Sequence, residues 1–104
     1  MAKRLSPAEF KEALSHEQGV LIDVRTALEV ESGYIEGAVN YDFNNGDFMN
    51  AMEHFDKSKT YYLYCRSGAR SGKAADLLEQ AGFPKVFNVG GFEELVNAGF
   101  EVAY

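Results

Sequence analysis

Val20-Leu21-Ile22-Asp23-Val24 is an almost uninterrupted apolar run. A run that does not alternate is what a strand covered on both faces of a sheet requires, so other elements must pack above and below it. A second stretch, Thr60-Tyr61-Tyr62-Leu63-Tyr64, is rich in β-forming residues and ends at Cys65, the one cysteine of the chain.

Helical patterns occupy the ground between. Ser6-Pro7-Ala8-Glu9 has a capping-box serine and glutamate, with proline at the first helical position, where its missing N–H costs little. Phe10, Ala13 and Leu14 extend it as an apolar stripe, and Gly19 follows its end. Ala27 to Ser32 predicts a short helix closed by Gly33, and Ala38-Val39-Asn40-Tyr41 a further strand. Asn44-Asn45-Gly46-Asp47 is turn chemistry, after which Phe48, Met49, Met52 and Phe55 predict an amphipathic helix. Ser71 to Gln80 predicts another, with Ala74, Leu77, Leu78 and Ala81 on one face, Gly82 as its C-cap and Pro84 beyond. Lys85 to Val89 then reads as a strand and Phe92 to Asn97 as a last helix. Strands alternating with helices predict an α/β fold: a mainly parallel central sheet with helices on both faces. In such folds ligands sit outside the carboxyl ends of the strands, and Cys65 is expected at one of those ends.

Bulk properties bound the function. A chain of 104 residues is the size of one domain, spanning 1–104. A net charge of −6 argues against nucleic-acid binding, which needs a basic footprint, and against docking on anionic membranes. A small anionic substrate would need a local positive pocket, and segment 65–73 offers one in Arg66, Arg70 and Lys73 with no acid among them. A lone cysteine makes no internal disulfide, and no four-ligand cysteine and histidine cluster exists for structural zinc. No apolar run approaches the ~20 residues of a transmembrane helix. Met1-Ala2-Lys3-Arg4-Leu5 lacks the apolar core of a signal peptide. A cytoplasmic location is the expectation, although a processed secreted chain would read the same way.

Cys65-Arg66-Ser67-Gly68-Ala69-Arg70 carries the chemistry. A strand ends, a short loop turns at a glycine, and a helix begins, so successive backbone N–H groups converge and the helix N-terminus adds positive partial charge. Arg66 and Arg70 add full charges. All of these favour thiolate over thiol. A free cysteine of pKa ~8.5 is only ~3% ionised at pH 7, whereas one lowered to ~6.5 would be ~75% ionised. The same cradle of Arg66, Ser67, Gly68, Ala69 and Arg70 would hold an anionic sulfur donor and neutralise its leaving group. A buried structural cysteine is the ordinary alternative, but an inert core position rarely has two guanidinium groups beside it.

These residues resemble a known family, the single-domain rhodanese (thiosulfate sulfurtransferase-like) proteins. Tyr64-Cys65-Arg66-Ser67-Gly68-Ala69-Arg70-Ser71 is similar to their active-site loop, with Cys-x-x-Gly-x-Arg at Cys65, Gly68 and Arg70. Leu21-Ile22-Asp23-Val24-Arg25 resembles the first family signature, Gly33-Tyr34-Ile35-Glu36-Gly37-Ala38 the second, and Ala81-Gly82-Phe83 with Val89-Gly90-Gly91 the C-terminal one. The resemblance implies a sulfurtransferase in which Cys65 takes a sulfane sulfur from a donor such as thiosulfate, becomes a persulfide, and passes the sulfur to a thiophilic acceptor, cyanide in the assay. It implies no metal and no organic cofactor, and as partners the small anionic donor and the thiophilic acceptor, with a protein sulfur acceptor left open. Asp23 and Arg25 become structural supports of the loops. Tyr34 and Glu36 depart from the usual His and Pro, and Leu95 from the frequent Trp, which bears on acceptor choice more than on chemistry.

Two other functions fit parts of the pattern. Cysteine-dependent phosphatases and arsenate reductases use a similar cradle but place arginine six residues after the cysteine, where this chain has Ser71. A sulfur-carrier or partner-binding module of the same family would show little thiosulfate turnover. His16 and His54 are expected on solvated helix surfaces, Glu29, Glu31, Glu93 and Glu94 on solvated faces, and Tyr61, Tyr62 and Tyr64 in strand core and sheet surface. Arg70 is expected to be held by loop carbonyls or a carboxylate such as Asp23, and Arg66 to point outward toward an anionic donor.

Overall fold

The computed structural model describes residues 2–104. Its strands are β1 (Lys3–Arg4), β2 (Val20–Asp23), β3 (Tyr34–Ile35), β4 (Val39–Asn40), β5 (Tyr61–Cys65), β6 (Val86–Gly91) and β7 (Val102–Ala103). Its helices are α1 (Pro7–His16), α2 (Ala27–Glu31), α3 (Asp47–Met52), α4 (Ala69–Gln80) and α5 (Phe92–Asn97). Five strands form a parallel sheet in the order β1-β6-β5-β2-β4, and β3 pairs antiparallel with β7 outside it. The expected α/β architecture is therefore present.

The order of strands places the site. From β2 the chain moves out to β4, then crosses back to β5 on the other side of β2 and continues to β6. Successive connections part between β2 and β5, and open parallel sheets bind ligands at the carboxyl ends of strands where that happens. Asp23 ends β2 and Cys65 ends β5.

β5 lies in the middle of the sheet and every one of its residues is buried. Its side chains alternate between two cores, as strand geometry demands. Tyr61, Leu63 and Cys65 join Ile22, Val24, Phe48, Ala74, Leu78 and Phe83 on the face covered by α3 and α4. Tyr62 and Tyr64 join Phe10, Ile35, Val89 and Leu95 on the face covered by α1 and α5. The tyrosine run is thus core throughout, with no member left on an exposed sheet surface. Each phenol keeps a backbone partner: the Tyr61 and Tyr62 hydroxyls donate to the Asp56 and Glu17 carbonyls, and that of Tyr64 accepts from the Ile35 amide at 2.9 Å. Leu95, at the position expected to carry tryptophan, is completely buried in the second core.

Several boundaries differ from expectation for local reasons. The α1 capping box forms as expected, with Glu9 N–H donating to Ser6 Oγ at 3.1 Å and Ser6 N–H to Glu9 Oε1 at 2.8 Å. A second box, Thr26 with Glu29, starts α2. Helix α4 begins at Ala69, two positions before the expected Ser71, because Gly68 in the left-handed region (φ 101°) turns the chain directly into it. β1, β3 and β7 are two-residue strands, too short for any side-chain period to announce them.

Candidate functional site

The loop after β5 closes around the sulfur of Cys65. Gly68 N–H donates to Sγ at 3.0 Å, and Ser71 Oγ lies 3.5 Å from it. Burial pushes the thiol pKa up, but hydrogen bonds from the Ser71 hydroxyl and from the amides of Ser71, Ser67 and Gly68 outweigh it, and the net shift is downward. The first turn of the twelve-residue α4 contributes some of these donors, so its orphan N–H groups find a partner in the sulfur. Cys65 itself has no solvent exposure.

The close fit rests on glycines with stated roles. Gly68 adopts φ 101°, and a Cβ there would come within 3.1 Å of the Arg4 guanidinium. At Gly91 a Cβ would lie 2.5 Å from the Arg66 carbonyl oxygen, so the end of β6 and the cysteine loop touch backbone to backbone. A register shift in the β5–β6 pairing between Leu63 and Tyr64 brings Cys65 opposite Gly91. Such bulges re-aim a strand next to a functional centre.

Asn88, which sequence reasoning did not single out, braces this loop from β6. Its Nδ2 donates to the Gly68 carbonyl at 3.0 Å, and its Oδ1 accepts from Gly90 N–H at 3.1 Å and from Ser71 Oγ at 2.8 Å. The Ser71 hydroxyl has one proton and two acceptors within reach, Asn88 Oδ1 and Sγ. Asn88 Oδ1 is the nearer of the two, at 2.8 Å against 3.5 Å for Sγ. Ser71 was legible as the end of the loop motif, but Asn88 lies 17 residues from Ser71 and belongs to no local pattern.

Arg70 is held by a carboxylate and Arg66 is exposed, as expected, but the carboxylate is a different one. Arg70 is not held by Asp23: its Nη1 and Nη2 donate to Glu29 Oε1 and Oε2 at 2.8 and 3.0 Å. Glu29 is therefore no solvated surface acid, and its hydrogen bonds with Arg70 hold its carboxyl down to about 2 despite some burial. Hydrogen bonds make the largest contributions to the lowering at Cys65, and the Arg70 charge, although paired with Glu29, also interacts with the thiolate. Asp23 belongs to Arg25, whose Nε bonds both carboxylate oxygens at 3.0 Å and whose Nη2 bonds Oδ2 and the Gly33 carbonyl at 2.7 Å. Burial works against the Arg25 charge, the Asp23 bonds outweigh it, and the guanidinium pKa ends up raised. The guanidinium lies 4.3 Å from the Phe92 ring centroid, a cation–π contact that helps hold a buried charge. Arg66, Ser67 and Ala69 are exposed, as are His16 and His54.

Beside the loop opens a cavity of about 410 Å³ lined by Arg25, Glu29, Ser32, Arg66, Phe92 and Glu93. Another, of about 380 Å³, lies at the opposite end of the sheet where β2 and β5 begin, lined by residues such as Glu17, Gly19, Lys59 and Thr60. Only the first adjoins a nucleophile. Among the described residues no cluster of His, Cys, Asp and Glu could hold a metal ion, and no helix is long and apolar enough to cross a membrane.

Known proteins resemble this chain in sequence and fold. The family model of the rhodanese-like domain matches residues 6–98. The Bacillus subtilis protein YtwF, named as a sulfurtransferase, is 42% identical over 90 residues, covering 86% of this chain and 84% of that one. Thiosulfate sulfurtransferase PspE of Escherichia coli is 31% identical over 74 residues, covering 71% of each chain. The tRNA uridine(34) hydroxylase of Cytophaga hutchinsonii is 35% identical over 92 residues, but this chain spans only 30% of its length. A rhodanese-like domain protein from Staphylococcus aureus superposes with a TM-score of 0.79 at 31% identity, covering 98% of this chain and 99% of that one.

Proposed function

The chain belongs to the rhodanese-like domain family, and from that premise we propose that it moves a sulfane sulfur from a donor such as thiosulfate to a thiophilic acceptor through a persulfide on Cys65. The observation that carries this reading is the sulfur's surroundings: a Gly68 amide at 3.0 Å, a Ser71 hydroxyl at 3.5 Å and a thiol pKa lowered by them.

The chemistry follows from the cradle. The Cys65 thiolate attacks the terminal sulfur of thiosulfate, a new S–S bond forms, the donor's S–S bond breaks, and its electron pair leaves on sulfite. The charge on sulfur then sits one bond further out, where loop N–H groups can meet it. A thiophilic acceptor such as cyanide attacks the outer sulfur, takes it as thiocyanate and returns the thiolate. No general base is needed when the nucleophile is already ionised. Since Cys65 has no exposure, a donor reaches it only after the loop shifts, which suits a slim terminal sulfur better than a phosphoryl group with its three oxygens.

That same enclosure favours a second reading, a sulfur carrier that passes its cargo to a partner protein and turns over thiosulfate slowly. One assay addresses both. Wild type and Cys65→Ser are compared for thiocyanate formation from thiosulfate and cyanide, with melting curves to show that both fold. Turnover lost in the variant supports the enzyme; turnover equal in both contradicts any role for Cys65; a single stoichiometric burst without turnover supports the carrier.

A further inference from the structure

We propose that Arg4 is a positioning residue for sulfur transfer: with Glu94 it forms a latch that keeps the cysteine loop closed over Cys65 and opens to admit the donor. Arg4 would serve the persulfide chemistry proposed above for Cys65, on which this reading rests.

Some part of the loop must move, because the sulfur has no exposure. The restraints on Gly68 show which part. Its carbonyl is pinned in the interior by Asn88 Nδ2 at 3.0 Å, and Asn88 also holds the Ser71 hydroxyl at 2.8 Å. The peptide on the other side of Gly68 carries the N–H that meets the sulfur at 3.0 Å, and it leads back into the exposed Ser67 and Arg66. Gly68, at φ 101°, is the joint between the pinned peptide and the exposed one, and a glycine turns there at little steric cost.

Arg4 bears on that joint. β1 pairs Arg4 with Asn88, so the two side chains leave the sheet on the same face. A Cβ built on Gly68 would stand 3.1 Å from Arg4 Nη1, and one on Gly90 2.8 Å from Nη2, so the guanidinium fills the place that side chains at both positions would take. Glu94 holds it there. Its Oε1 accepts from Arg4 Nη2 at 3.2 Å and from Gly91 N–H at 3.0 Å, which ties the edge strand, the end of β6 and the start of α5 together around the joint. Glu94 is therefore more than a solvated acid of α5. Arg4 and Glu94 are 51% and 49% exposed, and a pair that wet is weak and weakened further by salt. Such weakness suits a contact that breaks and reforms with each donor, whereas the buried Asn88 brace suits one that stays closed.

The test follows alkylation of Cys65 by iodoacetamide in the full chain, since a neutral reagent is not steered by charge. Rates are read on the high-pH plateau, where the thiol is fully ionised, in wild type, Arg4→Ala and Glu94→Gln. The glutamine keeps an oxygen for the Gly91 amide and loses only the ion pair. Both variants should react about two- to fivefold faster than wild type, the range that loss of a half-exposed pair allows. Added salt should speed wild type and leave Arg4→Ala nearly unchanged. All rates should stay flat in dilute urea, because opening one loop exposes little surface, whereas global unfolding is steeply urea-dependent. A rate not above wild type in either variant, a wild-type rate indifferent to salt, or an acceleration that climbs with urea along the unfolding curve overturns the latch while leaving persulfide chemistry intact. Failure of Cys65 to take up sulfur from thiosulfate overturns both.

Discussion

Two arginine–carboxylate pairs flank the cysteine loop, and they are built on opposite plans. Asp23 and Arg25 are two residues apart, and both are buried, at 0% and 5% exposure. Glu29 and Arg70 are 41 residues apart and join α2 to the first turn of α4, with about a quarter of each side chain exposed. The first pair is local and dry. It holds the end of β2 to the Gly33 carbonyl and supports the Phe92 ring. The second is long-range and half wet, and it ties the helix that carries the loop to the neighbouring helix. Burial sets the scale of what each loss would do: an unpaired charge in the interior is strongly unfavourable, whereas one near water is readily solvated.

The largest effect is therefore expected at Arg25. Arg25→Ala leaves the Asp23 carboxylate enclosed without its partner, and should destabilise the protein by about 3–5 kcal/mol. Urea denaturation would measure it. A loss smaller than that of Arg70→Ala would reverse the comparison.

Arg70→Ala should cost less, about 1 kcal/mol once solvent screening is allowed for, and should lower kcat because the loop's helix is no longer tied. The pair also predicts a pH signature. Glu29 titrates at about 2 in the folded protein against an ordinary 4.5, so between those values the unfolded chain binds the extra proton. Stability from the pair is thus complete above about pH 4.5, declines as pH falls, and is gone below about 2. Denaturation curves across that window should flatten in Glu29→Gln relative to wild type. Parallel curves for the two proteins would mean that Arg70 does not hold the carboxylate.

The smallest change in stability, and the sharpest in chemistry, is expected at Ser71. Neither ion pair supplies the main donors to sulfur, so Ser71→Ala should raise the Cys65 pKa while Arg25→Ala leaves it nearly unmoved. The pH dependence of alkylation measures this, starting in wild type from a value lowered by the loop's hydrogen bonds. A Cys65 pKa unchanged in Ser71→Ala would remove the hydroxyl from the account.

What could be read in the sequence follows from range. β2 and β5 were legible because a doubly covered strand must be apolar throughout, and α1 because its capping box and proline are adjacent in the chain. Cys65, Gly68 and Arg70 were legible because one short loop places them. The partner of Arg70 was not: Asp23 seemed available, but Arg25 already satisfies it two residues away, and the carboxylate that reaches Arg70 is also the one that caps α2. Asn88 was hidden for the same reason, its value lying in contacts 17 and 20 residues distant. Glu29 carried a local signal after all, since Thr26 and Glu29 form a capping box that a closer reading of the helix start would find.

The central claim is that Cys65 carries sulfur. Incubation of the protein with thiosulfate, followed by the mass of the intact chain, addresses it directly. The account predicts a gain of one sulfur, about 32 mass units, that is removed by cyanide. An unmodified mass under conditions where Cys65 alkylates readily would contradict it.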